Sequence, residues 1–186
     1  GSNVVCNFFL PEDLWTVDID VVQIRRVIQG MIRRALQQMP TGGILMIRAE
    51  NRQVSADEAP ITEGRYIRLT VKDDGVALSQ EELQTLFDPH FSARDGHKDK
   101  GLGLALCYSI ARKHGGWIRA ESGKGKGTSL QLWLPISQAA GQEKPNEPAA
   151  KNDRRILMQE PDDNVRQTSG IILNFLQCHA EFAGTA

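Results

Sequence analysis

Cysteine is scarce in this chain, and what there is cannot form a framework. The three cysteines of 186 residues, Cys6, Cys107 and Cys178, are odd in number and far apart. They make no Cys-x-x-Cys pair and no Cys/His metal spacing, which argues against both a disulfide scaffold and a zinc site. A reducing, cytoplasmic setting fits, and Cys107, on a helical apolar stripe, reads as a packed small hydrophobe. Surplus charge is missing as well: 22 basic against 23 acidic residues leave a formal net charge of −1. The two signs are mixed along the chain, so neither a nucleic-acid surface nor a polybasic membrane anchor is expected. No apolar run approaches the roughly 20 residues that a bilayer requires, and the start shows no signal-peptide pattern. Gly1-Ser2 without a methionine reads as the scar of a cleaved tag. The expectation is a piece of a longer protein, whose intact form can still be membrane-anchored.

What is present is the composition of an ordinary globular protein, 40% hydrophobic and 24% charged. The pattern breaks once. Residues 138–153 carry no apolar period and two prolines, Pro145 and Pro148, and read as a linker. We therefore expect a first domain over 1–137, the linker over 138–153, and a short β-α-β piece over 154–186.

Within the first domain, Asp20 is placed to cap a helix whose apolar positions are Ile24, Val27, Ile28, Met31, Ile32 and Ala35. Met39-Pro40-Thr41-Gly42-Gly43 stops it. Residues 44–50 and 65–75 read as strands, and on the second of them Ile67, Leu69, Val71 and Asp73 share one face. A second helix is predicted from about Leu102 to His114, ending at Gly115-Gly116. Residues 117–122 and 128–135 form a hairpin with the glycines of Gly123-Lys124-Gly125-Lys126-Gly127 in its turn. The fold class expected is α+β, a two-layer α/β sandwich with helices on one face of a sheet. Phe8, Phe9, Trp15 and Trp133 are assigned to core or edge packing.

Two features carry chemistry. Asp73 prolongs the buried face of an apolar strand, and a buried charge is costly without a donor. Its partner is either a neighbouring backbone amide or the exocyclic amine of a ligand. The second feature is the run from Gly96 to Leu104, in which a basic, glycine-containing loop leads into a helix. A helix start offers unpaired N–H groups and the positive end of its dipole, and glycine lets phosphate approach the backbone. Arg94, Lys98 and Lys100 add positive charge. Together these point to a phosphate site.

Residues 73–135 resemble the catalytic ATPase domain of histidine kinases, in the GHKL superfamily with gyrase B and MutL. Asp73-Asp74-Gly75 stands where that family has its first glycine box, and Leu86-Phe87-Asp88-Pro89-His90-Phe91-Ser92 resembles its F box, with Arg94 where a lysine is usual. Gly101-Leu102-Gly103-Leu104-Ala105 resembles the second glycine box, and Gly123 to Thr128 the third glycine-rich turn. Upstream, Asp20, Ala35 and residues 39–43 fall in register with the helix carrying the family's N box, so the likeness spans roughly 4–136. It implies ATP held by Asp73, Gly75, Phe91, Arg94, Lys98, Lys100, Gly101, Leu102, Gly103, Leu104 and Thr128, with Arg34 at the metal end. It also implies transfer of the γ-phosphoryl group to a histidine on a separate helical domain of the same protein. Homodimerisation of the intact kinase and a response-regulator receiver as partner come with it. A chaperone- or repair-type ATPase of the superfamily fits the F box less well. None of the four histidines has the setting of a phosphoacceptor, and no catalytic side chain or metal ligand is assigned in this chain.

The departures are local. The N-box positions that are asparagine in the family are Gly30 and Arg34, and the second asparagine normally ligates Mg²⁺. A guanidinium has no lone pair to give a metal. Ala77 replaces a later glycine of the first box, and Asp99-Lys100 the Gly-Thr that opens the second. Two readings follow: Arg34, with or without Arg33, supplies the missing positive charge, or the pocket is degenerate and the domain serves signalling or dimerisation without catalysis. Weakened or absent transfer is the favoured expectation. After the linker, residues 154–166 resemble the first strand and helix start of a receiver domain, with Glu160 and Pro161 where that family has an acidic pair. The resemblance implies a hybrid kinase; an amphipathic packing helix is the alternative.

Overall fold

The computed structural model describes residues 3–55, 61–88, 102–137 and 172. Its elements follow in the order β1 (Val4–Phe9), α1 (Val21–Gln37), β2 (Gly43–Val54), β3 (Gly64–Asp73), α2 (Gln80–Thr85), α3 (Leu102–Lys113), β4 (Trp117–Gly123) and β5 (Gly127–Pro135). The strands make one five-stranded sheet in the order β1-β2-β3-β5-β4. β1 runs parallel to β2, and the remaining neighbours are antiparallel.

Helix α1 forms where the apolar stripe predicts it. Ile24, Val27, Ile28, Met31, Ile32 and Ala35 are its buried residues, and Asp20 is its N-cap, accepting from the Gln23 amide at 3.0 Å. These side chains join Leu45 and Ile47 of β2, Leu69 and Val71 of β3 and Leu130, Leu132 and Leu134 of β5 in the main core. Strand alternation explains the selection, since Ile67, Leu69, Val71 and Asp73 all turn to the buried side. On the opposite parity, Tyr66 and Trp133 meet edge-on at 6.4 Å and form a smaller cluster with Val54. The α+β sandwich expected from the sequence is the architecture found.

α3 lies beside α1. Cys107 is buried there, its thiol directed at the Val27 carbonyl at 3.6 Å, and burial pushes its pKa up to about 12. It is the small hydrophobe expected, held as an inert thiol. At the helix end, His114 Nδ1 donates to the Ile110 carbonyl at 2.9 Å, which leaves Nε2 to accept the Asp20 amide at 3.0 Å. The end of α3 is thereby joined to the cap of α1. Two elements go beyond the sequence reading. β1 adds the parallel edge strand, with Phe8 packed on the core and Phe9 exposed, and α2 is a short helix opened by a Ser79–Glu82 capping box.

Candidate functional site

Asp73 ends β3 with its side chain on the helix side of the sheet, 3% exposed. Its Oδ1 accepts two backbone amides, Gly75 at 3.0 Å and Thr128 at 3.3 Å. Both alternatives raised by the sequence can therefore coexist: among the described residues, the backbone bonds fall on Oδ1 and none reaches Oδ2. Burial raises the Asp73 pKa above the ordinary carboxylate value. The Gly75 and Thr128 amides oppose the shift, as does the positive charge of Arg34, while Asp74 adds to it.

The turn after Asp73 is held from three sides. Asp74 Oδ1 accepts the Ile44 amide at 2.8 Å, fixing the turn to the start of β2. Val76 donates to the Gln38 carbonyl at 3.3 Å, fixing it to the end of α1. Gly75 passes so close to α1 that an added Cβ would stand 2.4 Å from the Gln38 carbonyl oxygen. On the third side Gly127, at φ +67°, lies directly on the Asp73 backbone, where an added Cβ would come within 1.9 Å of its carbonyl oxygen. Two of the three glycine-box regions singled out in the sequence thus meet at one carboxylate. Thr128 also shares a hydrogen bond with Ser122 Oγ at 3.1 Å, and that hydroxyl accepts the Leu78 amide at 2.8 Å.

Arg34 lies one helical turn before Gln38 on α1, and residues so spaced share a face. It is half-buried. Burial lowers its pKa, and the negative charges of Asp73 and Glu82 oppose that shift. A guanidinium remains protonated in such a setting. Glu82 belongs to the α2 capping box and is held ionised chiefly by the Ser79 amide. Arg34 thus lies in the field of one carboxylate from β3 and one from α2.

The remaining assignments divide. Leu102 and Gly103 open α3, and Leu104 is buried in the main core. Phe87, from the F-box run, packs on Tyr108 of α3 with ring centres 6.0 Å apart. Phe91, Arg94, Lys98, Lys100 and Gly101 lie outside the described residues. Gln38, Glu82 and Ser122 were not singled out in the sequence, and Asp74 was read only as part of the first glycine box, with no role of its own. Only Glu82 carried a local signal, the Ser-x-x-Glu spacing from Ser79.

A family model described as histidine kinase-, DNA gyrase B-, and HSP90-like ATPase matches residues 19–138, taking in α1, the Asp73 turn, α3 and the β4–β5 hairpin. The chain belongs to this ATPase family. Among curated relatives, the domain is 31% identical over 182 residues to Sensor kinase CckA of Brucella abortus, covering 89% of this chain and 19% of the relative. It is 32% identical over 136 residues to Sporulation kinase C of Bacillus subtilis, covering 73% of this chain and 29% of that one. The chain therefore spans well under half the length of these relatives. Among solved structures, the mycobacterial sensor histidine kinase MprB superposes with a TM-score of 0.56 at 23% identity, over 72% of this chain and 83% of that one. The nucleotide-free catalytic domain of histidine kinase ThkA gives 0.56 at 21%, over 72% and 80%. These structures share the fold. The chain is thus a domain of an ATP-binding family, and its relatives among curated proteins include sensor and sporulation kinases.

Proposed function

We infer that this chain binds ATP against Asp73 and serves as the catalytic domain of a two-component histidine kinase. The γ-phosphoryl group would pass to a histidine on a separate helical domain. The observation that carries the reading is the Asp73 carboxylate, buried at a strand end with its described backbone bonds on one oxygen. The other oxygen suits the exocyclic amine of adenine, whereas guanine presents a carbonyl oxygen at the same edge and would be repelled. Kinases among the relatives, Sensor kinase CckA and Sporulation kinase C, support the phosphotransfer context, and a dimeric parent and a receiver partner belong to the same reading. The match to Sensor kinase CckA covers 89% of this chain, more than residues 1–137 alone, so part of the tail is similar to that kinase as well.

Calorimetric titration with ADP and GDP tests the adenine assignment. ADP should bind and GDP should not, and Asp73→Asn should lose the preference by about 10- to 100-fold, the scale of a charge-assisted hydrogen bond. Equal binding of both nucleotides would remove Asp73 from the role. One observation favours a second reading, in which the domain signals without transferring phosphate: α1 presents Gly30 and Arg34 where the family has asparagines. Incubation with labelled ATP and a phosphoacceptor helical domain supplied in trans separates the two, since only the kinase reading yields an acid-labile phosphohistidine.

A further inference from the structure

Among the described residues, the Mg²⁺ that this ATPase family uses finds no side-chain oxygen at the two α1 positions where the family has asparagine. The α1 turn that should offer side-chain oxygens offers Gly30, Arg33 and Arg34, and among the described residues no group of three acidic, histidine or cysteine side chains could hold a metal. A cation already occupies this place. Arg34 lies one helical turn before Gln38, whose carbonyl holds the turn after Asp73, so the two share a face of the helix, and Arg34 feels the negative charges of Asp73 and Glu82. A divalent ion beside that guanidinium would be repelled, and the guanidinium has no lone pair to bind it. Its five N–H donors, by contrast, match the oxygens of a phosphate in forked, charge-assisted pairs.

We propose that Arg34 takes the place of the divalent cation, so that the chain holds the triphosphate of ATP through its guanidinium and binds the nucleotide independently of Mg²⁺. The proposal rests on the reading that ATP binds at the Asp73 pocket. In the free protein, the negative charges of Asp73 and Glu82 partly offset the cost of burying the Arg34 charge. On binding, the phosphates take over that role from Glu82, while Asp73 turns to the adenine amine. The consequence for the chemistry is directional: a guanidinium can anchor phosphate, but its single, delocalised charge would neutralise the developing charge of phosphoryl transfer less than a divalent ion would. Binding would survive where transfer is slow.

Isothermal titration of the full chain with ATP, once in EDTA and once in excess MgCl₂, tests this without any variant. The expected result is an affinity that changes less than about twofold between the two conditions, well inside the tenfold that 1.4 kcal/mol represents. Arg34→Asn restores the family's ligand and should invert the pattern. Binding in EDTA should weaken by about 10- to 100-fold, the worth of a charged hydrogen-bonding partner, and MgCl₂ should restore it. Thermal melts of the variant establish that it is folded. Wild-type binding that requires MgCl₂ would overturn the proposal and leave the ATP-binding reading intact. Tighter ATP binding by Arg34→Asn in EDTA would overturn it too, by showing that Arg34 blocks the pocket. No binding at millimolar ATP under either condition would overturn both.

Discussion

At Asp73 a single carboxylate is asked to do two things whose energies oppose each other. Burial makes its ionised form expensive, and the net effect is a raised pKa in spite of two backbone amides and the nearby Arg34. A raised value in the folded state means that the ionised group works against folding. The penalty is absent below the unfolded carboxyl pKa near 3.8 and reaches its full size once the pH has risen past the folded value. Asp73→Asn keeps an oxygen for the Gly75 and Thr128 amides and drops the charge. Its melting temperature at pH 7 should equal or exceed that of the wild type, with any advantage fading as the pH falls towards 4, while the preference for adenine nucleotides is weakened. A variant that unfolds at pH 7 would show that the charge itself holds the turn together. The glycines beside it give a second residue-scale expectation. Gly125 and Gly127 both have positive φ, yet a Cβ at Gly125 meets nothing within 4 Å while one at Gly127 runs into the Asp73 carbonyl. Gly125→Ala should cost about 1–2 kcal/mol, the strain of a left-handed alanine. Gly127→Ala should cost at least about 3 kcal/mol, because overpacking is added to that strain. Chemical denaturation of the two variants side by side makes the comparison.

Among the elements, α1 carries the domain because its two ends are tied to different partners. Its C-terminal end receives the Asp73–Val76 turn through Gln38, and its N-cap Asp20 is held by His114 at the end of α3. Asp20→Ala should lower stability by about 1 kcal/mol, the usual worth of an aspartate cap. The Gln23 amide holds the Asp20 pKa below 3.8, so the contribution is present above that value and lost as the pH falls through the lowered one. Urea melts of both proteins at pH 7 and near pH 3 should show the gap narrowing in acid. The six buried positions of α1 and its cap were legible in the sequence because a period of 3.6 with a polar back face admits one orientation. The buried face of β3 was legible for the same reason at period 2. β1 was not, since Val4-Val5 and Phe8-Phe9 put apolar residues on both parities and conceal which side is half-buried. α2 has no buried residue and so no stripe to read; its capping box alone announces it. In the site, Asp73 and its glycine boxes could be read because each is a local pattern. Gln38, Asp74 and Ser122 could not, because their roles arise only when β2, β4 and α1 are brought to one turn.

For the molecule as a whole, the question is where its folding unit ends. The composition places a boundary at about residue 137, and a tail of roughly 30 residues is too short to bury a core of its own. Ile172 bears on that question directly. It is helical, fully buried, and a member of the same core cluster as Ile24, Met31 and Leu69. A side chain from well beyond residue 137 is therefore packed into the core of the ATPase domain. Ile172→Ala should then destabilise the full chain by about 2–4 kcal/mol, the cost of truncating a buried isoleucine and leaving a cavity. In a urea melt this would move the midpoint of a single transition, with little change in slope, because the same surface is still exposed on unfolding. A chain ending at residue 137 should melt earlier by at least as much, since it forfeits the same burial. Unchanged midpoints in both variants would mean that Ile172 contributes nothing to the stability of the core, and that the domain closes over its own residues alone. A fall in both would make the segment around Ile172 a structural part of the ATPase domain.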